Sequence, residues 1–164
     1  MEFLEKDLEE IIWQTDNEKK KKKGLEISGK KLRQLRIGNY GIADLVTYEK
    51  SYLPYNNPFI DITIYELKKD KVGIGAFLQA VRYAKGIITW IEEKKPSLDY
   101  KINLVLCSKK VDDVSDFIFI TDVFAHNEFS LHGVVSVDFY SFKYDINGIE
   151  FKKESGYNLV KTGF

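Results

Sequence analysis

The chain is poor in several things. It has one cysteine, three prolines, one methionine, two histidines and no net charge in 164 residues. A lone cysteine, Cys107, excludes an internal disulfide and a cysteine zinc cluster. It lies in the apolar run INLVLCS, where it reads as a small buried hydrophobe rather than a nucleophile. The 25 basic and 25 acidic residues cancel, so total charge does not argue for nucleic acid. A local basic stripe can still contact phosphates on a neutral protein. No apolar run approaches the ~20 residues that span a bilayer. The opening MEFLEKDLEE is acidic and unlike a signal peptide, so an intracellular, cytoplasmic protein without membrane association is expected. Gly73-Ile74-Gly75 is too short for a dinucleotide or P-loop fingerprint and reads as a turn into a helix. His126 and His132, with Glu128 between them, fit no standard metal-ligand spacing and read as surface histidines. Asp112, Asp113 and Asp116 read as a solvated acidic turn.

What is present is an ordinary globular composition, 44% hydrophobic, long enough for one domain over residues 1–164. Residues 3 to about 20 read as a helix, with Leu4, Leu8, Ile11 and Ile12 on one stripe. The run Lys19 to Lys23 before Gly24 reads as a solvated helix end. LEISGKK suggests a short strand and turn. KLRQLRI, whose alternation is imperfect, and YGIADLVTYEK suggest a hairpin around Gly38-Asn39. SYLPYNNPF reads as a loop, and DITIYELKK as a central strand. A helix follows from about Ala76 to Lys94, burying Phe77, Ala80, Val81, Ala84 and Ile88 and closed by Pro96. Then come strand YKINLVLC, the apolar run DFIFI, and a closing hairpin, VVSVDFYSFKY with GIEFK, around Asn147-Gly148. The fold class is α/β: a mixed central sheet flanked by helices, with a strand-rich C-terminal tail.

The unusual feature is charge inside the best strand. Glu66 and Lys68 are two apart and share a face with Ile62 and Ile64, while Tyr65 and Lys69 point the other way. That face begins apolar and turns charged near the strand's C-terminal end, where α/β sheets form ligand crevices. The plain reading is an ion pair, worth about 0–1 kcal/mol when exposed. Asp44, in Gly41-Ile42-Ala43-Asp44, raises another. If its strand neighbours Ile62–Leu67, the Asp44 and Glu66 carboxylates converge, and two converging carboxylates repel unless a divalent cation lies between them. Hard oxygens of this kind suit Mg²⁺ completed by water and phosphate. Asp61 is a rival carboxylate, but five residues from Glu66 it faces the other side of an unbulged strand. Gln79 and Tyr83 share one helical face. By themselves they read as a surface glutamine and a half-buried tyrosine.

In order, Gly41-x-x-Asp44, Glu66-x-Lys68 and Gln79-x-x-x-Tyr83 resemble the PD-(D/E)XK nuclease superfamily, the restriction-endonuclease-like fold. The closest similarity is to its RecB-type and archaeal single-strand or mismatch nuclease-like branch. The resemblance spans roughly residues 3 to 108 and implies a core of helix, three strands, helix, strand. Ala43 stands where the family's proline is expected, and the Asp44-to-Glu66 interval is long. The resemblance implies a divalent-metal-dependent deoxyribonuclease using Mg²⁺, with Mn²⁺ as a substitute. Asp44 and Glu66 would be metal ligands, with the backbone carbonyl of Leu67. Lys68 would be the catalytic lysine, and Gln79 would position the water or phosphate. Tyr83 would support the site or DNA. A first-helix glutamate is common in the family; Glu5 is preferred here over Glu9. Arg33, Arg36, Lys71 and Arg82, with Lys30, Lys31, Lys69 and Lys85, could form a basic rim for DNA. A homodimer or a targeting protein are further partners such nucleases use. The alternatives are a non-catalytic nucleic-acid-binding or assembly module on the same fold, and an α/β domain in which Glu66–Lys68 is only an ion pair.

Overall fold

The computed structural model describes residues 3–111 and 133–158. Two helices open the chain, α1 (Glu5–Gln14) and α2 (Asn17–Lys22), where one was expected. The break falls at Thr15, which is extended, and Asp16, whose carboxylate accepts the Lys19 N–H at 2.8 Å and caps the second helix. Leu8 and Ile12 are fully buried, each contributing about 1.5–3 kcal/mol. Leu4 precedes the helix and is exposed. The lysine run is not wholly solvated either. Lys20 is buried and donates to the Ile12 carbonyl at 2.8 Å, satisfying the end of α1. Burial, with Lys31 nearby, pushes its pKa down to about 8.

Residues 25–28 form no strand. The chain passes close to the last hairpin instead. Gly24, at φ +93°, leaves no room for a Cβ, which would lie 2.0 Å from the Phe151 carbonyl oxygen, and Phe151 N–H donates to Lys23 O at 2.7 Å. Leu25 and Ile27 are buried all the same.

The sheet strands are β1 (Lys30–Arg36), β2 (Ile42–Leu53), β3 (Asn57–Leu67), β5 (Asp99–Ser108), β7 (Gly133–Asp145) and β8 (Gly148–Asn158), in the spatial order β1-β2-β3-β5-β7-β8. β3, β5 and β7 run parallel; the β1–β2, β2–β3 and β7–β8 pairs are antiparallel hairpins. The protein is therefore α/β with a mixed open sheet. Between β3 and β5 the chain forms α3 (Ile74–Lys94). Two short strands, β4 (Lys71–Val72) and β6 (Lys110–Val111), pair beside the main sheet. α3 covers one face through Phe77, Ala80, Tyr83 and Ala84, packed on Val46, Ile62, Ile64 and Leu104. α1 covers the other, its Leu8 and Ile12 meeting Leu45, Tyr65, Leu67 and Val105. Among the described residues no helix is long and apolar enough to cross a membrane.

Two departures shape the site. In β1, Leu32 and Leu35, three residues apart, both join the core beneath α3; in β2 Ala43 and Val46 do the same. The ladder pairs Arg33 with Leu45 and Leu35 with Ala43 and skips the Gln34–Asp44 rung, where Gln34 has φ +49°. This local twist explains the imperfect alternation of KLRQLRI. The expected loop SYLPYNNPF is largely strand: the β2–β3 ladder continues to Leu53↔Asn57, closed by a short turn at Pro54–Asn56. The closing hairpin is present, with Gly148 at φ +102° after the Ile146-Asn147 turn. DFIFI, the histidines and Asp112, Asp113 and Asp116 lie outside the described residues.

Candidate functional site

β3 carries Glu66 at its C-terminal end, in register with Leu106 of β5. The neighbouring turn is well tied. Lys68 N–H donates to Cys107 O at 2.9 Å, and Ser108 Oγ accepts from Val72 N–H at 3.1 Å while donating to Lys110 O at 2.7 Å. Glu66 is 0% exposed, in line with the apolar residues that precede it on its face. Lys68 Nζ lies 2.7 Å from Glu66 Oε1, and 3.4 Å from Glu5 Oε1 on α1. Even so, neither Glu66 oxygen accepts a hydrogen bond of good geometry. A buried carboxylate with so little beyond one ammonium to satisfy it is costly. Burial raises its pKa to about 7, with Asp44 and Glu5 adding to the rise and Lys68 opposing it. Burial also works against the Lys68 ammonium, but Glu66, Glu5 and Asp44 outweigh it and hold its pKa above the ordinary value.

Asp44 stands on β2 just past the last β2–β3 pair, Leu45↔Tyr65. Its Oδ2 accepts the Leu67 N–H at 3.4 Å. A strand residue's N–H and C=O face the same neighbouring strand, so the Leu67 carbonyl also faces this gap. Burial raises the Asp44 pKa, and Lys68, Glu9 and Glu5 are its charged neighbours. Asp44, Glu66, Lys68 and Glu5 thus form one electrostatic group between α1, β2 and β3. Among the described residues no three His, Cys, Asp or Glu side chains stand close enough together to hold a metal ion. Glu5 pairs with Lys68 instead of completing a carboxylate triple. Glu9 is bound by the Arg33 guanidinium and by Gln34 Nε2, the latter at 2.9 Å.

From α3, Gln79 Nε2 donates to Tyr83 Oη at 2.6 Å. Tyr83 is 3% exposed, more deeply buried than the half-buried tyrosine its sequence suggests. Burial raises its pKa, and Glu66, Asp44 and Lys68 are its charged neighbours. Gly41, at φ +121°, makes room for the ring: a Cβ there would lie 2.8 Å from Tyr83 Cε1.

The basic candidates divide. Arg33 is committed to Glu9 and Glu10, and Lys31 donates to Trp13 O at 2.8 Å. Arg36, Lys71, Arg82, Lys30 and Lys85 are exposed. Lys69 Nζ lies 3.9 Å from Asp70. Asp61 accepts from Asn103 Nδ2 at 2.8 Å, and the β3–β5 register is unbroken from Phe59 to Leu67. Cys107 is buried, and burial pushes its thiol up. The sequence reading missed Gln34, whose backbone turns the strand and whose amide holds Glu9; the broken alternation of KLRQLRI was its only signal.

No protein-family model matches the chain, and no curated protein or solved structure is significantly similar to it.

Proposed function

We propose that the protein is a divalent-metal-dependent nuclease that hydrolyses phosphodiester bonds in DNA on a restriction-endonuclease-like core. The observation that carries this reading is Glu66: a fully buried carboxylate at a strand end beside Asp44, whose near partner is the Lys68 ammonium at 2.7 Å. Such a group is held ready for a cation. The chain order α1, β1, β2, β3, α3, β5 and the placement of α1 and α3 on opposite faces of a mixed sheet support the same reading.

The donors fit Mg²⁺, or Mn²⁺ in its place. They are hard oxygens, the Asp44 and Glu66 carboxylates and the Leu67 carbonyl, and Mg²⁺ takes its remaining positions from water and substrate phosphate. When bound, the ion supplies Lewis-acid stabilisation of charge at the phosphate. In hydrolysis a water oxygen bonds to phosphorus, the ester oxygen leaves, and a proton passes to the leaving oxygen. Lys68, kept charged by its carboxylate neighbours, offsets the negative charge gathering on the phosphate. Gln79 fixes the Tyr83 hydroxyl, and Tyr83 closes the site toward α3. The exposed Arg36, Lys71 and Arg82 would contact the DNA backbone.

The 2.7 Å Lys68–Glu66 contact favours a second reading, in which the pair is structural and the domain binds nucleic acid or assembles without catalysis. Calorimetric titration with Mg²⁺ and Mn²⁺ separates the two. The nuclease reading requires binding by wild type and its loss in Glu66→Ala; equal heats from both proteins overturn it.

A further inference from the structure

On the face covered by α3, between that helix and strands β1–β3, lies an apolar groove of about 710 Å³, a size that suits one small molecule. None of Asp44, Glu66 and Lys68 lines it. Val46, Tyr48, Ile60 and Ile62 form its floor and Ile87 and Trp90 of α3 its wall. From the Leu35↔Ala43 rung to Tyr48 the floor is about 17 Å long, at about 3.3 Å per strand residue. One end is closed. Gly86, in the middle of α3, lets the Ile37–Tyr40 turn pack on the helix: a Cβ there would lie 2.6 Å from Ile37 Cγ2 and 2.7 Å from Tyr40 Cδ2. Arg36, next to that turn, lines the closed end. The other end is open, and there Trp90 is 54% exposed. α3 runs back between the parallel strands β3 and β5, so its last turn lies beside the start of β3 and the far end of β2. Glu93 and Lys50 therefore both line the open end.

We propose that this groove binds a free amphiphile with one unbranched alkyl chain and one carboxylate, a medium-chain fatty acid, with its head at Arg36 and its chain laid along the floor toward Trp90. Three observations select this ligand. First, the charges differ between the two ends. At the open end Lys50 and Glu93 offset one another. At the closed end Arg36 has no acidic lining residue beside it, and among the described residues it is in no ion pair. Its guanidinium fork suits a carboxylate. Second, between those ends the lining is apolar apart from Thr89 and the tyrosine hydroxyls. A peptide laid there would bring a row of amide groups with too few partners, whereas an alkyl chain brings none. Third, the floor is long enough for an extended chain of medium length, and its apolar side chains lose water when the chain covers them. The groove is separate from the Glu66 site, and the proposal does not depend on nuclease activity.

The test is calorimetric titration with dodecanoate below its micelle concentration, with circular dichroism as a check of folding. Wild type should bind one dodecanoate per chain, and should bind dodecyltrimethylammonium weaker by about tenfold or more. Arg36→Glu, which repels the head, and Trp90→Glu, which sets a charge against the chain, should each weaken dodecanoate binding by about tenfold or more. Both positions are exposed, so the fold should survive. Fluorescence places the ligand. Of the two tryptophans, Trp13 and Trp90, only Trp90 lines the groove. Dodecanoate should change the emission of wild type but not of Trp90→Phe, which should still bind it by calorimetry. No binding of dodecanoate by wild type, equal affinity for the anionic and cationic amphiphiles, or undiminished affinity in both charge variants would each overturn the proposal. So would binding to phosphatidylglycerol vesicles without one-to-one binding of the free acid, or a dimer in light scattering that excludes dodecanoate.

Discussion

Replacing Glu66 with glutamine should make the protein more stable at pH 8 in the presence of EDTA, although it removes a charged residue that touches a lysine. The reason is burial. The Glu66 carboxyl has its pKa raised from the ordinary 4.5 to about 7. Between those values the folded chain keeps a proton that the unfolded chain releases, so stability falls as pH rises. The contribution is complete below pH 4.5 and is lost as pH passes through 7. At about 1.4 kcal/mol per pH unit the loss comes to about 3 kcal/mol. Asp44, raised by the same burial, adds in the same direction. Lys68 does not oppose it, because its own pKa is raised and it stays protonated across this window. Glutamine is uncharged at every pH and nearly the same shape, so Glu66→Gln escapes the penalty. Urea unfolding at pH 4.5 and pH 8 reads the difference. The variant should match wild type at pH 4.5 and exceed it by about 3 kcal/mol at pH 8, which is roughly 6–12 °C in Tm for a domain of this size. Saturating Mg²⁺ should narrow the gap at pH 8 by stabilising wild type alone. A Glu66→Gln protein no more stable than wild type at pH 8 would show that the carboxylate is already satisfied and refute the reasoning.

Other consequences follow from neighbouring residues. Lys68→Ala should lower single-turnover DNA cleavage by about 10²-fold or more, while Lys69→Ala should leave it within about twofold, because it is Lys68 whose Nζ lies 2.7 Å from Glu66. Equal effects would contradict the assignment. Gly41→Ala should cost about 1–3 kcal/mol in urea unfolding, from positive φ and the Tyr83 contact together. Gly38→Ala should cost less, because nothing lies within 4 Å of its added Cβ. Cys107 should resist alkylation at pH 8 until the chain unfolds, since it is buried and its thiol is pushed up; rapid labelling of the folded protein would show an opening near β5.

Much of the fold was legible because its elements follow simple periods. β3 is a β-branched run, α3 repeats its apolar residues at helical spacing, and Asn147-Gly148 marks the last turn. The failures share a physical cause: tertiary contacts overrode local pattern. Asp16 could cap a helix or sit inside one, and only the burial of Lys20 against the end of α1 decides for two helices. SYLPYNNPF has the composition of a loop, yet the β2–β3 ladder runs through most of it because both flanking strands are already in register. In the site, strand parity correctly sets Glu66 and Lys68 apart from Asp61. It could not show that Gln34 breaks the ladder opposite Asp44, that Arg33 is spent on Glu9 and Glu10, or that Tyr83 is buried beneath Gly41. Those facts depend on how α1 and α3 pack on the sheet.

The central claim is that Asp44, Glu66 and Lys68 form a metal-dependent site for DNA hydrolysis. Its most direct test is cleavage of labelled single-stranded, duplex and branched DNA by wild type and by Glu66→Ala, with Mg²⁺, with Mn²⁺ and with EDTA. The account predicts that wild type cuts at least one of these DNAs only when a divalent cation is present, and that Glu66→Ala cuts none. Cleavage by Glu66→Ala at the wild-type rate, or no cleavage of any DNA by folded wild type with either cation, would contradict it.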